Sequence, residues 1–82
     1  MKTKEEIQQW LQQKIAAEAQ TKPGSISITL PFTSFGLDSI VMVTLVTDLE
    51  DWLDLSLDPT IFWEFPSIAI LTDWLLAEHL AG

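Results

Sequence analysis

Gly36-Leu37-Asp38-Ser39-Ile40-Val41-Met42-Val43-Thr44-Leu45-Val46-Thr47-Asp48-Leu49-Glu50-Asp51-Trp52-Leu53 is the stretch that decides how this 82-residue chain folds. It reads as a loop turning into a helix. Gly36 permits a tight turn, the Asp38 carboxylate is a good helix cap, and apolar residues then run into a helical pattern. The helix is expected to begin at Asp38. Leu45, Val46, Leu49 and Leu53 make its best single stripe, while Ile40, Val41, Met42, Val43 and Trp52 widen the apolar set beyond one face. Part of that set must stay exposed or meet partners. Asp48, Glu50, Asp51 and Asp54 make the far end acidic. Acids there oppose the helix macrodipole, which suggests another use for the charge.

Before this stretch, Thr3 and Glu6 have the spacing of a capping box. Ile7, Trp10, Leu11 and Ile15 follow at helical intervals, predicting a helix from Lys4 to Ala19. It stops before Thr21-Lys22-Pro23-Gly24, a turn cluster. From Gln20 to Leu37, Ile26, Ile28, Leu30 and Phe32 alternate with Ser25, Ser27, Thr29 and Pro31. Period two normally marks a strand, but no second strand is evident to pair with it. An extended loop packing its apolar side on the helices is expected, with a strand pairing to another chain as the alternative.

After it, Asp58-Pro59 reads as a cap followed by proline at the first helical position. A short helix from Thr60 to Phe65 then stops before Pro66. Ser67 caps a last helix whose apolar face is Ile68, Ile70 or Leu71, Leu75, Leu76 and Leu80, and Gly82 ends the chain. The expected fold is all-α: a small four-helix bundle, three longer helices and one short third helix, with a long structured first loop. Residues 1–82 are expected to form a single domain.

The net charge is −8, and the four basic residues, all lysine, lie before Pro23; from there on the chain carries nine acidic residues and no basic one. Nucleic-acid binding needs cations to displace condensed counterions, so no nucleic-acid partner is expected. Anionic lipid is disfavoured for the same reason, no apolar run reaches the length of a membrane span, and no membrane partner is expected. The acidic field favours partners with basic patches, or else serves solubility alone. The chain has no cysteine, so disulfides and thiolate metal sites are excluded. Its N-terminus lacks the apolar stretch of a signal peptide, and a cytoplasmic location is expected.

The chemistry concentrates in Phe35-Gly36-Leu37-Asp38-Ser39-Ile40. Ser39 falls in the first turn of the expected helix, beside backbone N–H groups with no intrahelical acceptor. Free amides and the positive dipole end favour an anion there, so a phosphate diester on Ser39 would be well placed. The plainer reading is a helix start in which Asp38 or Ser39 merely caps.

A wider frame supports the first reading. The string resembles the acyl carrier protein family, whose modified serine follows G-x-D and precedes Leu or Ile at the start of the second helix; the polyketide-synthase branch favours L-G-L-D-S-L. Downstream, Pro59-Thr60-Ile61-Phe62-Trp63-Glu64-Phe65-Pro66-Ser67-Ile68-Ala69-Ile70-Leu71-Thr72-Asp73-Trp74-Leu75 is similar to the family's ending, P-x-x-x-x-F/W-E/D-x-P-S/T-I/L-x-x-L-x-x-Y/W-L. The resemblance implies that Ser39 accepts 4′-phosphopantetheine from coenzyme A, attached by a phosphopantetheinyl transferase, and carries acyl groups as thioesters. Such a chain is a carrier and not an enzyme. Asp38 would be cap and part of what the transferase reads, with Gly36 shaping the turn. The second helix and the loop before it would dock partners through Ile40, Val41, Met42, Thr44, Asp48 and Asp51. Those partners would be the transferase, an acyl-loading ligase or acyltransferase, a ketosynthase and tailoring enzymes, with the carrier a monomer. The family's bacterial fatty-acid members carry acids just after the serine, where this chain has Val41 and Thr44. That departure favours a dedicated synthase or ligase meeting an apolar patch. Alternatives are a peptidyl carrier protein of a non-ribosomal peptide synthetase, whose usual G-G-H/D-S motif fits less well, and a helical interaction module that carries nothing. A free-standing carrier is favoured over an excised domain.

Other constellations are weaker. A serine hydrolase needs a base beside its nucleophile, and the one histidine, His79, reads as a surface residue of the last turn. The acids from Asp48 to Asp58 lack calcium-loop spacing, and no metal site is expected. Trp10, Trp52, Trp63 and Trp74 read as core or half-buried packing. Phe62 and Trp63 lie on the short third helix, which in the family often borders the acyl path.

Overall fold

In the computed structural model, residues 2–80 are described, the side chains of His79 and Leu80 excepted. The expectations for those two side chains and for Gly82 lie outside the described residues. Helix α1 spans Lys4–Ala19, α2 Ser39–Leu53, α3 Ile61–Glu64 and α4 Ile68–Leu75, with a wider π-type turn over Leu76–Leu80. Among the described residues no strand forms, and the architecture is the small helical bundle expected from sequence.

Each long helix starts where a short-range signal sets it. Thr3 and Glu6 exchange the two hydrogen bonds of a capping box. Asp38 caps α2 and Ser67 caps α4, each through its side chain. Both α1 and α2 end on a left-handed residue that is not glycine, Gln20 at φ 57° and Asp54 at φ 56°.

The core is one cluster. Ile7, Leu11 and Ile15 of α1 pack against Leu45, Val46, Leu49 and Leu53 of α2, Ile61 and Phe62 of α3, and Ile68, Leu71 and Leu75 of α4. The structure chooses Leu71 over Ile70 for the inner face of α4, because Ile68, Leu71, Thr72 and Leu75 share one stripe and Ile70 points away from it. Trp10 and Trp52 stack across α1 and α2 with centroids 5.0 Å apart.

The long connection is ordered by contacts distant in sequence. It contains 3-10 turns at Pro23–Ser25 and Phe32–Phe35. Gln12 Nε2 donates to the Ile26 carbonyl at 2.8 Å. The Phe32 amide donates to the Pro66 carbonyl, and the Ala69 amide to the Ile28 carbonyl. Pro31 and Ser67 form one isolated antiparallel bridge. The loop therefore packs as expected through Ile26 and Phe32, but its alternation breaks at Leu30, which is exposed beyond the Ile28–Thr29 turn.

Before α3 the expected geometry needs correcting. Asp58 accepts the Thr60 amide at 2.9 Å and the Thr60 hydroxyl at 2.6 Å. That closes a turn through Pro59 and Thr60, so the helix begins at Ile61 and proline sits in the turn instead of the first helical position. The Thr60 bonds also hold the Asp58 carboxyl below the ordinary aspartate range.

Candidate functional site

Ser39 is the first residue of α2, and the preceding loop fixes where it stands. Phe32 anchors the second 3-10 turn in the core, its ring 4.5 Å from that of Phe62. Gly36 closes this turn at φ 70°. A Cβ there would meet nothing within 4 Å, so glycine serves the left-handed backbone and not a close approach. Leu37 packs on the core, and the chain then emerges at Asp38.

Asp38 Oδ1 accepts the Val41 amide at 2.8 Å, and the Asp38 carbonyl accepts the Met42 amide at 3.0 Å. The amides of Ser39 and Ile40 have no acceptor among the described residues. Asp38, Ser39 and Ile40 are all exposed, and the first turn of α2 holds no acidic residue. The result is an exposed hydroxyl beside two free N–H groups at the positive end of a helix. Such a site accommodates a phosphodiester anion.

The residues expected to dock partners separate into three groups. Ile40, Thr44 and Asp51 are exposed; Val41 and Asp48 are half-buried. Met42 is a correction: at 4% exposure it belongs to the core. Met42, Leu45, Val46 and Leu49 fall at helical intervals on one face, so the inner stripe simply starts a turn earlier. Val43, 45% exposed, is the outward residue that the expected set lacked. Extending the Leu45–Leu49 stripe backwards in the sequence would have found both.

Glu50 is committed elsewhere, since its Oε2 accepts the Leu57 amide at 3.0 Å and ties down the loop after α2. On α3, Phe62 is buried, but Trp63 is 51% exposed, against the packing expected of it. Among the described residues no cluster of metal-ligating side chains occurs, and no helix is long and apolar enough to cross a membrane.

The phosphopantetheine attachment site family matches residues 9–75 of this chain. The acyl carrier protein TtuC of Teredinibacter turnerae is 34% identical, over 93% of this chain and 87% of its own length. The polyketide synthase PksL of Bacillus subtilis is 29% identical over 85% of this chain, a match that spans 2% of that polypeptide. A solved structure, the free-standing peptidyl carrier protein from an uncharacterised Acinetobacter baumannii secondary metabolic pathway, superimposes with a TM-score of 0.84. It is 37% identical, with 92% of this chain and 94% of that one covered. The chain belongs to the phosphopantetheine-binding carrier family, and its relatives are acyl carriers and the carrier domains of polyketide synthases. The covalent cofactor of that family is 4′-phosphopantetheine.

Proposed function

We propose that Ser39 is the attachment residue and that the chain is a non-catalytic acyl carrier serving polyketide or fatty-acyl-derived biosynthesis. The observation that carries this reading is the pairing of an exposed Ser39 hydroxyl with the unpaired Ser39 and Ile40 amides at a helix start whose first turn carries no acid beyond its Asp38 cap. In loading, Ser39 Oγ forms a bond to the pantetheine-side phosphorus of coenzyme A. The pyrophosphate bond breaks, the adenosine bisphosphate leaves, and the transferase takes the hydroxyl proton. The arm then supplies the thiol that holds acyl groups as thioesters. Asp38 keeps the helix end formed while this happens, and Gly36 sets the angle at which Ser39 leaves the loop.

The single contiguous core and the 11.6 Å radius of gyration support one domain over residues 1–82. A cytoplasmic monomer is the proposed state. Its partners are a phosphopantetheinyl transferase, an acyl-loading ligase or acyltransferase, a ketosynthase and tailoring enzymes. The likeness to a peptidyl carrier favours a second reading, in which the thioester holds an aminoacyl group; Leu37 before Asp38 argues for acyl cargo. Incubation with coenzyme A and a broad-specificity transferase, read by intact mass, tests the assignment. Wild type should gain one phosphopantetheine and Ser39→Ala none, with unchanged helicity. A Ser39→Ala protein that still gains the arm refutes the site.

A further inference from the structure

The downstream motif, from Pro59 to Leu75, lies far along the chain from Ser39, yet the fold sets part of it behind the attachment loop. The Ala69 amide donates to the Ile28 carbonyl at 2.9 Å, and the Phe32 amide to the Pro66 carbonyl at 2.8 Å. Pro31 and Ser67 pair around the second bond in an isolated antiparallel bridge. Beside it the Phe32 and Phe62 rings meet with centroids 4.5 Å apart and planes tilted at 45°. Both rings are buried. Phe32 is the one buried residue of the Phe32–Phe35 turn, while Thr33 and Ser34 face water. The far end of that turn has weak support of its own. The Ser34 amide reaches the Pro31 carbonyl at 2.9 Å, but the Gly36 amide meets the Thr33 carbonyl only at 3.5 Å, a long bond. Glycine adds no side-chain restraint there.

We propose that Phe62, acting through Phe32, is a positioning residue for loading. The ring contact and the Pro66 bond brace the turn from behind, and so set where Gly36, Leu37 and Asp38 deliver the Ser39 hydroxyl. The proposal rests on Ser39 being the attachment residue. Buried rings cannot touch coenzyme A, so their effect runs through the turn. Loading is a phosphoryl transfer, in which the attacking oxygen must stand in line with the bond that breaks. A misplacement of about 1 Å can cost on the order of 100-fold in such a step. The helix itself is held independently, by Met42, Leu45, Val46 and Leu49 in the core. Loosening the brace therefore leaves α2 and its outer surface formed. Binding of the transferase persists, and the chemical step slows.

Phe62→Leu and Phe32→Leu keep each site apolar while removing the ring contact. Loading by one broad-specificity phosphopantetheinyl transferase is followed by intact mass, at a temperature where circular dichroism shows every variant folded. Each substitution should lower kcat about tenfold and change the KM for the carrier less than about twofold. The double variant should fall no further than either single one, because both break the same contact. Ile15→Val, a core change on α1, should load at the wild-type rate. Amide resonances of Gly36 and Ser39 should shift in Phe62→Leu and stay in place in Ile15→Val. Wild-type kcat in Phe62→Leu overturns the proposal while leaving Ser39 as the attachment residue. A raised KM with unchanged kcat overturns it too, since α3 would then be a contact of the transferase. So does a double variant whose loss is the product of the two single losses. Failure of wild type itself to load overturns both the brace and the Ser39 assignment.

Discussion

At the start of α1, the Thr3 hydroxyl accepts the Glu6 amide and the Glu6 carboxylate accepts the Thr3 amide, with Glu5 beside them in the first turn. At the start of α2, Asp38 caps alone, and the first turn is Ser39, Ile40 and Val41 with no acid. Both caps have extended backbone and both take the amide three residues on. What differs is the electrostatic remainder. The positive end of α1 has Glu5 and Glu6 in its first turn; that of α2 has the Asp38 cap alone and faces water beside an exposed hydroxyl. The third long helix shows the other way to complete an end. The Ala69 amide goes to the Ile28 carbonyl and the Ile70 amide to Ser67 Oγ, while Ser67 itself is buried. A helix start met by carboxylates of its own first turn, as in α1, or by a neighbouring loop, as in α4, is structural. One left open next to a nucleophilic oxygen has room for an incoming anion, which is what a phosphopantetheine diester supplies.

The largest expected effect tests whether these two starts belong to one cooperative unit. Leu49 is fully buried among residues of all four helices, so Leu49→Ala should cost about 2–5 kcal/mol. Stacked Trp10 and Trp52 report the α1–α2 contact. Denaturant curves from tryptophan fluorescence and far-ultraviolet circular dichroism should shift together. Curves that separate would mean α1 and α2 melt independently, and the contrast between their starts would lose its shared frame.

Next in size is the cap pair. Thr3→Ala and Asp38→Ala should each destabilise the fold by about 0.5–2 kcal/mol, because each orphans a first-turn amide. They should part on loading. Thr3→Ala should load at the wild-type rate, while Asp38→Ala should load more slowly at equal folded fraction. Equal loading would reduce Asp38 to a cap that no transferase reads.

A smaller effect comes from making α2 resemble α1. Ile40→Glu places an acid in the open first turn at an exposed position, where the macrodipole favours it by about 0.3–1 kcal/mol. Thermal stability should therefore rise slightly while the loading rate falls, since the new carboxylate competes for the field intended for the diester. A rise in both would show that the vacancy of this turn has no functional meaning.

Where the fold depended on neighbours in sequence, the sequence could be read. The bounds of α1, the Thr3–Glu6 box, the Asp38 and Ser67 caps and the Ser39 position all rest on residues within about one helical turn of each other. The misreadings involve either distant partners or a local competitor. Leu30 looked like part of an inward series, but the chain turns at Ile28–Thr29 just before it, where the Thr29 amide bonds Ser27 Oγ and the Ile28 carbonyl takes the distant Ala69 amide. Glu50 read as part of an acidic helix end with some use for its charge, and the distant Leu57 amide is what its carboxylate holds. Met42 was misassigned because it was grouped with its neighbours Ile40 and Val41 and not with the Leu45–Leu49 stripe, whose spacing it continues into the core. At α3, Asp58 read as a helix cap before Pro59, but the Thr60 amide and hydroxyl take its carboxylate into a turn.

The smallest effect separates the two starts by pH. Glu6 is held below the ordinary glutamate range, chiefly by the Thr3 amide and then by the Thr3 hydroxyl. A carboxyl whose folded pKa is lowered contributes stability above its unfolded pKa and loses it as pH falls through the folded value. The loss should develop between about pH 5 and 3, given ordinary glutamate titration. Glu6→Gln keeps a side-chain oxygen that can accept the Thr3 amide but removes the titration. Wild type should therefore be the more stable protein at neutral pH, and the difference between the two should close across the acid range. Because Glu6 is exposed, salt should reduce the difference further. The loading site should be indifferent: at pH 7, Glu6→Gln should load at the wild-type rate, since its effect is confined to α1. Equal stability of the two proteins from pH 7 down to pH 3 would mean that Glu6 acts through its hydrogen bond alone. The contrast between α1 and α2 would then rest on the exposed Ser39 hydroxyl and not on charge.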